Sequence, residues 1–447
     1  MSDVISALII LGIIMILGFI GNFIFNRTQI PSIIWLLIFG LVIGYIFNIR
    51  GGIDQNLLLI ISEFFAAIAI VIILFDGGIN ADLYQLFRGA PRGLLLTISG
   101  FCLSLLATLL IIVGLSASGI LPIPLEDSFA VGAVMGAIIG GTSSPIVIPL
   151  ATRLRNLQDK TKMVLSIESI ITDPLAIVVF LAGFYMIVIA KSPDFALGIK
   201  NLVSTFSVGI VTGAIMGFIW LPIMHKVRKE EFSYVLTLAV AFLVYSLTTL
   251  IIGVDEGGTG AGAIACLLFG LVLGNGKKIL KMVRYEGKGF EMDQQTRNFH
   301  SLFSFIIRTF FFVYLGMMVS FQNTGFILIG ILVLLTILLL RYLAVEITTY
   351  KGNFEKDDKQ TMNVMLPRGL AAAILAINFG PILAGEKGLN LGLEMQGFFE
   401  DVAFVVILGT AIITTIGVSL ICHFEMKKIQ TSEGQNNQID IKKTEEK

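Results

Sequence analysis

Inside the apolar stretch 163–190 the chain carries Glu168-Ser169-Ile170-Ile171-Thr172-Asp173-Pro174. On a helix Glu168 lies one turn from Thr172, and Ser169 one turn from Asp173, so the four polar side chains share a face. A charged group at bilayer depth costs from about 3 to more than about 10 kcal/mol, depending on how it reaches water. Such residues therefore face a partner or a water-filled path. Asp173 is the residue whose presence most needs a use.

The oxygens available around it suit a small monovalent cation. They are the hydroxyls of Ser169 and Thr172, those of Thr142, Ser143 and Ser144, and the Ile170 carbonyl, which Pro174 cannot engage. Burial penalises the charged form of a carboxylate. Either a proton or a sodium-like ion can neutralise it, but not both together, and the empty anion is too costly to carry across. That competition is the chemistry of an antiporter. If Glu168 is tied up by Arg368, only one carboxylate titrates; the residue before Asp173 is the neutral Thr172, so one-for-one, electroneutral exchange is expected.

The elements that must position these residues are membrane helices. The 447-residue chain is 56% hydrophobic and only 14% charged, with a mean hydropathy of +0.91, far from the soluble class. Spans of about 20 apolar residues are expected near 4–25, 30–48, 57–76, 93–117, 127–151, 162–190, 198–222, 232–252, 258–274, 300–320, 325–350, 361–384 and 397–424. Residues 1–25 lack a basic leader and a small-residue cleavage site, so they read as the first span. With the N-terminus outside, most of the 31 Lys and Arg fall on the cytoplasmic side, and the other side holds only Arg50, Lys191, Lys200 and Lys387. This is the positive-inside pattern, and an odd number of spans leaves the tail in the cytoplasm. The loop 275–299 reads equally as an interfacial helix or a solvated loop, and the polar tail 429–447 as disordered. Cys102, Cys266 and Cys422 sit in apolar spans and read as packing residues. Net charge is zero and nothing points to a nucleic-acid partner.

Two spans interrupt their own pattern. The fifth holds Gly140-Gly141-Thr142-Ser143-Ser144-Pro145, followed by Pro149; the twelfth holds Pro367-Arg368-Gly369, with Gly380-Pro381 near its end. Broken helices survive in hydrocarbon only when buried in protein or lining a cavity, and a matched pair points to inverted repeats. The expected architecture is an all-α polytopic membrane protein of about 13 helices. Repeat one covers about 4–190, a connector helix 198–222, repeat two 232–424, and the disordered cytoplasmic tail 425–447. Arg368 cannot shed its charge. It is expected to pair with Glu168 or to cap loose carbonyls of its own broken helix. Asp76, in Leu74-Phe75-Asp76-Gly77-Gly78, is either a distant contributor to the ion path or an interfacial cap. Glu63 reads as a packing group, and Arg308 and Arg341 as structurally paired, with Glu346 serving Arg341. His225, His300 and His423 lie at span ends and carry no assigned chemistry.

Together these residues resemble the NhaP-type sodium/proton antiporters, the group that includes the animal sodium/proton exchangers. Glu168-Ser169-x-x-Thr172-Asp173 is similar to that family's Glu-x-x-x-Asn-Asp motif. Pro31-Ser32-Ile33-Ile34-Trp35-Leu36 with Gly40 and Gly44, Phe75-Asp76-Gly77-Gly78, Gly257-Gly258-Thr259-Gly260 and Pro367-Arg368-Gly369 are similar to family patterns at matching spans. The resemblance covers residues 4–424. It implies thirteen helices with crossing breaks, a homodimer, and a core domain moving against a dimerisation domain. It also implies Asp173 as ion and proton carrier, Ser169 as cation ligand, the 142–144 turn completing the site, and a Glu168–Arg368 pair. The family often has a glutamate where Asp76 stands, with a possible ligand role. Thr172 stands where the family has Asn, and Thr142-Ser143-Ser144-Pro145 where Thr-Asp-Pro is usual, so the choice between sodium and potassium stays open. The cargo is a monovalent cation and a proton, and no cofactor is expected. A membrane-embedded protease would need His-Glu-x-x-His, a Gly-x-Ser-x-Gly nucleophile or two facing aspartates, none of which is found. A gated cation channel is the reading from a third class.

Overall fold

Backbone polar groups in hydrocarbon must be satisfied within their own segment, which makes helix the only open-ended way to cross. The computed structural model describes residues 2–28, 30–46, 55–81, 83–154, 157–188, 195–227, 230, 232–253, 258–282, 294–319, 323–384, 395 and 397–445, and among these there is no strand. In chain order the helices are α1 (Ser2–Thr28), α2 (Ser32–Ile46), α3 (Gln55–Asn80), α4 (Leu83–Ala117), α5 (Leu125–Gly140), α6 (Ser144–Arg153), α7 (Asp159–Val188) and α8 (Phe195–Val227). There follow α9 (Ser233–Ile252), α10 (Gly258–Gly274), α11 (Gly276–Met282), α12 (Gln294–Met318), α13 (Thr324–Thr349), α14 (Lys356–Val364), α15 (Leu370–Ala384) and α16 (Phe398–Glu445). Eight helical segments among the described residues are long and apolar enough to cross a membrane, one of them α5 and α6 in tandem. Four shorter apolar helices accompany them.

The two interruptions fall where glycine and proline cluster. α5 stops at Gly140 and α6 restarts at Ser144 with a proline in its first turn. α14 stops at Val364 and α15 begins at Leu370. Gly380-Pro381 does not end α15, which runs to Ala384. The tail departs from expectation. Residues 429–445 continue α16 as helix rather than forming a disordered segment. Its Lys, Glu and Gln are fair helix formers, and extending an existing helix avoids the cost of nucleation. The loop 275–299 opens with the short helix α11; its residues 283–293 lie outside the described residues, as do Arg50, Lys191, Gly257 and Lys387 and the side chains of Glu63, His225, Thr259, His300 and His423.

The broken α5–α6 segment and α7 are the most enclosed of the apolar segments, 72% buried in each case. α4 packs against both, α16 packs against α5, and α13 packs on α4 and α16. Outer helices present apolar side chains outward, such as Leu8, Phe19, Ile215, Leu328 and Leu339, as lipid-facing surfaces do. Without a hydrophobic force between helices in lipid, close approach relies on small residues. Gly40 of α2 faces Gly316 of α12, and a Cβ on either would strike the other helix's backbone. Gly78 of α3 and Gly270 of α10 form the equivalent contact, with Phe75 O and Leu267 O in the way of any side chain.

Gly270→Val should therefore separate α3 from α10 and lower stability by about 1–3 kcal/mol or more. Gly12→Val should change little, since nothing lies within 4 Å of its Cβ position. Thermal melts of the detergent-solubilised protein followed by circular dichroism check both.

Candidate ion site

The two breaks meet. Gly141 (φ −81, ψ 149) and Ser143 (φ −84, ψ 109) are extended, and the Ser143 amide donates to the Pro367 carbonyl at 2.8 Å. Thr172 of α7 fastens this link to the third element of the site. Its hydroxyl accepts from the Thr142 amide at 2.9 Å, lies 3.1 Å from the Thr142 hydroxyl, and is 3.2 Å from the Thr142 carbonyl. Thr172 is thus a staple between α7 and the first break. A neutral hydroxyl with donor and acceptor character suffices for that role.

Arg368 is buried, 3% exposed, and holds the opposite break. It donates to the carbonyls of Gly140 at 2.7 Å and Gly141 at 3.0 Å and to Ser104 Oγ at 3.1 Å, while its own amide donates to Thr410 Oγ1 at 3.0 Å. A cation at the C-terminal end of α5 meets carbonyls that have no helical partner and the negative end of the helix dipole. The expected Glu168–Arg368 pair is therefore corrected, and the alternative of Arg368 capping its own helix is amended: it caps the other one.

Glu168 pairs instead with Arg341 of α13, through Nη1–Oε1 and through Nη2–Oε2 at 2.9 Å, with both side chains almost fully buried. Arg341 also donates from Nε to the Met362 carbonyl at 2.9 Å and from Nη2 to the Met365 carbonyl at 3.0 Å. It thereby ties α7 to the start of the second break. Gly100 of α4 leaves room for the pair, its Cβ position lying 3.6 Å from Glu168 Oε1 and 3.7 Å from Arg341 Nη1. Glu346 does not serve Arg341. Five residues at about 100° each turn it to another face, where it accepts from Lys359 at 2.8 Å.

Asp173, 7% exposed, sits beside the first break. The Ser144 amide and the charges of Arg368 and Asp76 act on its carboxylate. Among the described residues no Lys or Arg forms a salt bridge with it. The segment Phe75–Gly78 is helical. It brings Gly77 against Pro174, with the Ile170 carbonyl 3.8 Å from its Cβ position. Asp76 itself accepts from Asn80 Nδ2 at 2.6 Å. Ser169 is fully buried on the Asp173 face, and its hydroxyl donates to the Ser166 carbonyl at 3.3 Å. Ser143 is buried against Gly369. Thr142, Thr172, Ser144 and Asp173 are thus brought together, with Asp76 in electrostatic reach. Arg341, Ser104 and Thr410 are site-supporting residues that sequence reasoning missed or misassigned. Arg341 was detectable as an arginine deep in an apolar run with no acid on its own face. Ser104 and Thr410 carry no such signal.

Because the Glu168–Arg341 pair is buried, removing one partner should cost about 3–5 kcal/mol. Glu168→Gln combined with Arg341→Met should lose clearly less than the sum of the two single changes. A double-mutant cycle of thermal stability reads the coupling, and additive losses would contradict it.

Residues 11–424 match the family described as sodium/hydrogen exchanger, transmembrane. The chain is 25% identical over 415 residues to the Na(+)/H(+) antiporter 1 of Methanocaldococcus jannaschii, covering 92% of each chain. It is 23% identical over 448 residues to the K(+)/H(+) antiporter NhaP of Alkalimonas amylolytica, covering 97% of this chain and 69% of that one. The solved structure of the sodium proton antiporter MjNhaP1 from Methanocaldococcus jannaschii at pH 8 shares its fold, with a TM-score of 0.71 and 24% identity over 94% of this chain and 96% of that one. The broken helices, the buried carboxylate and the family match lead to one conclusion: the chain belongs to the sodium/hydrogen exchanger family, multi-pass membrane antiporters that exchange a monovalent cation for a proton and are not enzymes.

Proposed function

We propose that Asp173 is the shared seat of the exchange, taking up either a proton or a cation and crossing only when neutralised. The observation that carries this reading is the contrast between two buried carboxylates on α7. Glu168 is locked to Arg341, whereas Asp173 has no salt bridge among the described residues. One titrating charge balances one monovalent cation, so the exchange is one for one and electroneutral. In this reading the cation is held by Asp173, Ser169 and Thr142, with the Ile170 carbonyl, Ser143, Ser144 and Asp76 lining its approach. Thr172 holds the link in shape.

Sodium is the proposed cation and potassium the second reading. The Methanocaldococcus relative is named for sodium and the Alkalimonas relative for potassium, and Ser144 here leaves the site with fewer negative charges than the usual Thr-Asp-Pro turn.

The proposed architecture is thirteen spans in two inverted repeats joined by α8. The packing supports it: α2 lies on α12 as α10 lies on α3, and α4 lies on α7 as α13 lies on α16. The distribution of Lys and Arg supports an outside N-terminus and a cytoplasmic tail in the cell membrane. A homodimer is inferred from the family resemblance.

Asp173→Asn keeps the side-chain volume and removes titration, so it should abolish cation-driven proton flux in proteoliposomes while leaving the melting temperature near that of the wild type. Normal flux in that variant would end the proposal. Fluorescence dequenching with sodium, lithium and potassium, with and without an imposed membrane potential, identifies the cation. An electroneutral exchanger should show no dependence on that potential.

A further inference from the structure

A cavity of about 80 Å³ opens beside the first break. Its wall includes Asn22 of α1, Ser32 of α2, Ser143 and Pro145 at the break, and Arg308 and Phe312 of α12. Ser143 lies between Thr142, which Thr172 holds, and Ser144, whose amide acts on the Asp173 carboxylate. The cavity therefore reaches the link that shapes the ion site.

Arg308 is unlike the other two arginines of the core. Arg341 and Arg368 spend their guanidinium donors on a carboxylate, carbonyls and a hydroxyl. Arg308 has no hydrogen bond or salt bridge with another described residue. It stands six positions into the apolar run Leu302–Met318, about 9 Å along the helix axis, with its side chain on the cavity. The one charge recorded as acting on it is Asp76, which also acts on Asp173. A permanently charged group at that depth, facing open space rather than an acid, is costly unless the space holds water.

We propose that this cavity is an aqueous entrance to the ion site and that Arg308 is an electrostatic valve in its wall, a fixed positive charge that lowers cation occupancy and sets the concentration at which the carrier loads. The inference rests on Asp173 being the seat of the exchange. A low-dielectric wall focuses the field of a fixed charge into the cavity. One unit charge acting there is worth on the order of three- to tenfold in local cation concentration. Asp76 is the carboxylate whose field opposes that of Arg308 at the inner end of the route.

The test is the apparent KM for the transported cation, read as proton flux in proteoliposomes. Arg308→Gln should lower that KM by roughly three- to tenfold with a maximal rate within about twofold of the wild type. Arg308→Lys, which keeps the charge, should stay near the wild type. Choline chloride, added as a salt that is not cargo, should narrow the gap between wild type and Arg308→Gln by screening. An unchanged KM in Arg308→Gln, or equal behaviour of Gln and Lys, overturns the proposal. Should Arg308→Gln not fold, Asn22→Cys in a chain with the three natural cysteines replaced gives the same information. A positively charged methanethiosulfonate label there should raise KM and a negatively charged one lower it, and identical responses overturn the valve. Failure of the Asp173 assignment would show separately, as exchange retained by Asp173→Asn.

Discussion

Backbone that leaves the helix in the middle of a membrane must find every partner inside the protein, and this constraint organises the structure around the site. The C-terminal carbonyls of α5 have no helical donors, and Arg368 supplies them. The Thr142 amide is taken by Thr172, and the Ser143 amide by Pro367. The Met362 and Met365 carbonyls at the second break are met by Arg341. Each break is therefore held by residues from other helices. Moving any one of α5, α7, α13 or the segment 365–369 independently would strand polar groups in a low-dielectric interior, where an unsatisfied group costs several kcal/mol. Such a cluster is one interlocked block.

The charges follow the same logic. Glu168 and Arg341 cancel inside the block and add no net charge to be carried. Arg368 is committed to carbonyls and a hydroxyl, so it stiffens the crossing while its field still reaches Asp173. What remains on α7 is Asp173, which has no salt bridge among the described residues; on the proposed reading its neutralisation decides whether the block can pass through a low-dielectric barrier. On that reading, cation and proton are coupled by this electrostatic cost.

Much of this was legible in the sequence, and what was not has identifiable reasons. The breaks at 140–145 and 365–369 were marked by glycine and proline within apolar runs, and the shared face of Glu168, Ser169, Thr172 and Asp173 followed from helical spacing. Partner choice was not readable. Arg341 and Arg368 are both arginines in apolar spans, and which one meets Glu168 depends on how α13 and the second break approach α7 in space. The helical angle between Arg341 and Glu346 argued against their pairing, so part of the answer was available. Ser104 and Thr410 look like any hydroxyl residue in a membrane helix, since they act only by reaching across to Arg368. The helical course of 429–445 was obscured by a polar composition that is compatible with disorder and equally with extension of an existing helix.

The central claim, that a proton and a cation compete for Asp173, is tested most directly by counting protons released when the purified protein binds its cation. Calorimetric titrations in buffers of different ionisation enthalpy give that number at each pH. The account predicts that, while the carboxylate is protonated, close to one proton leaves per cation bound, and that Asp173→Asn releases none. Cation binding without proton release across the titration range, or release retained in Asp173→Asn, would contradict it.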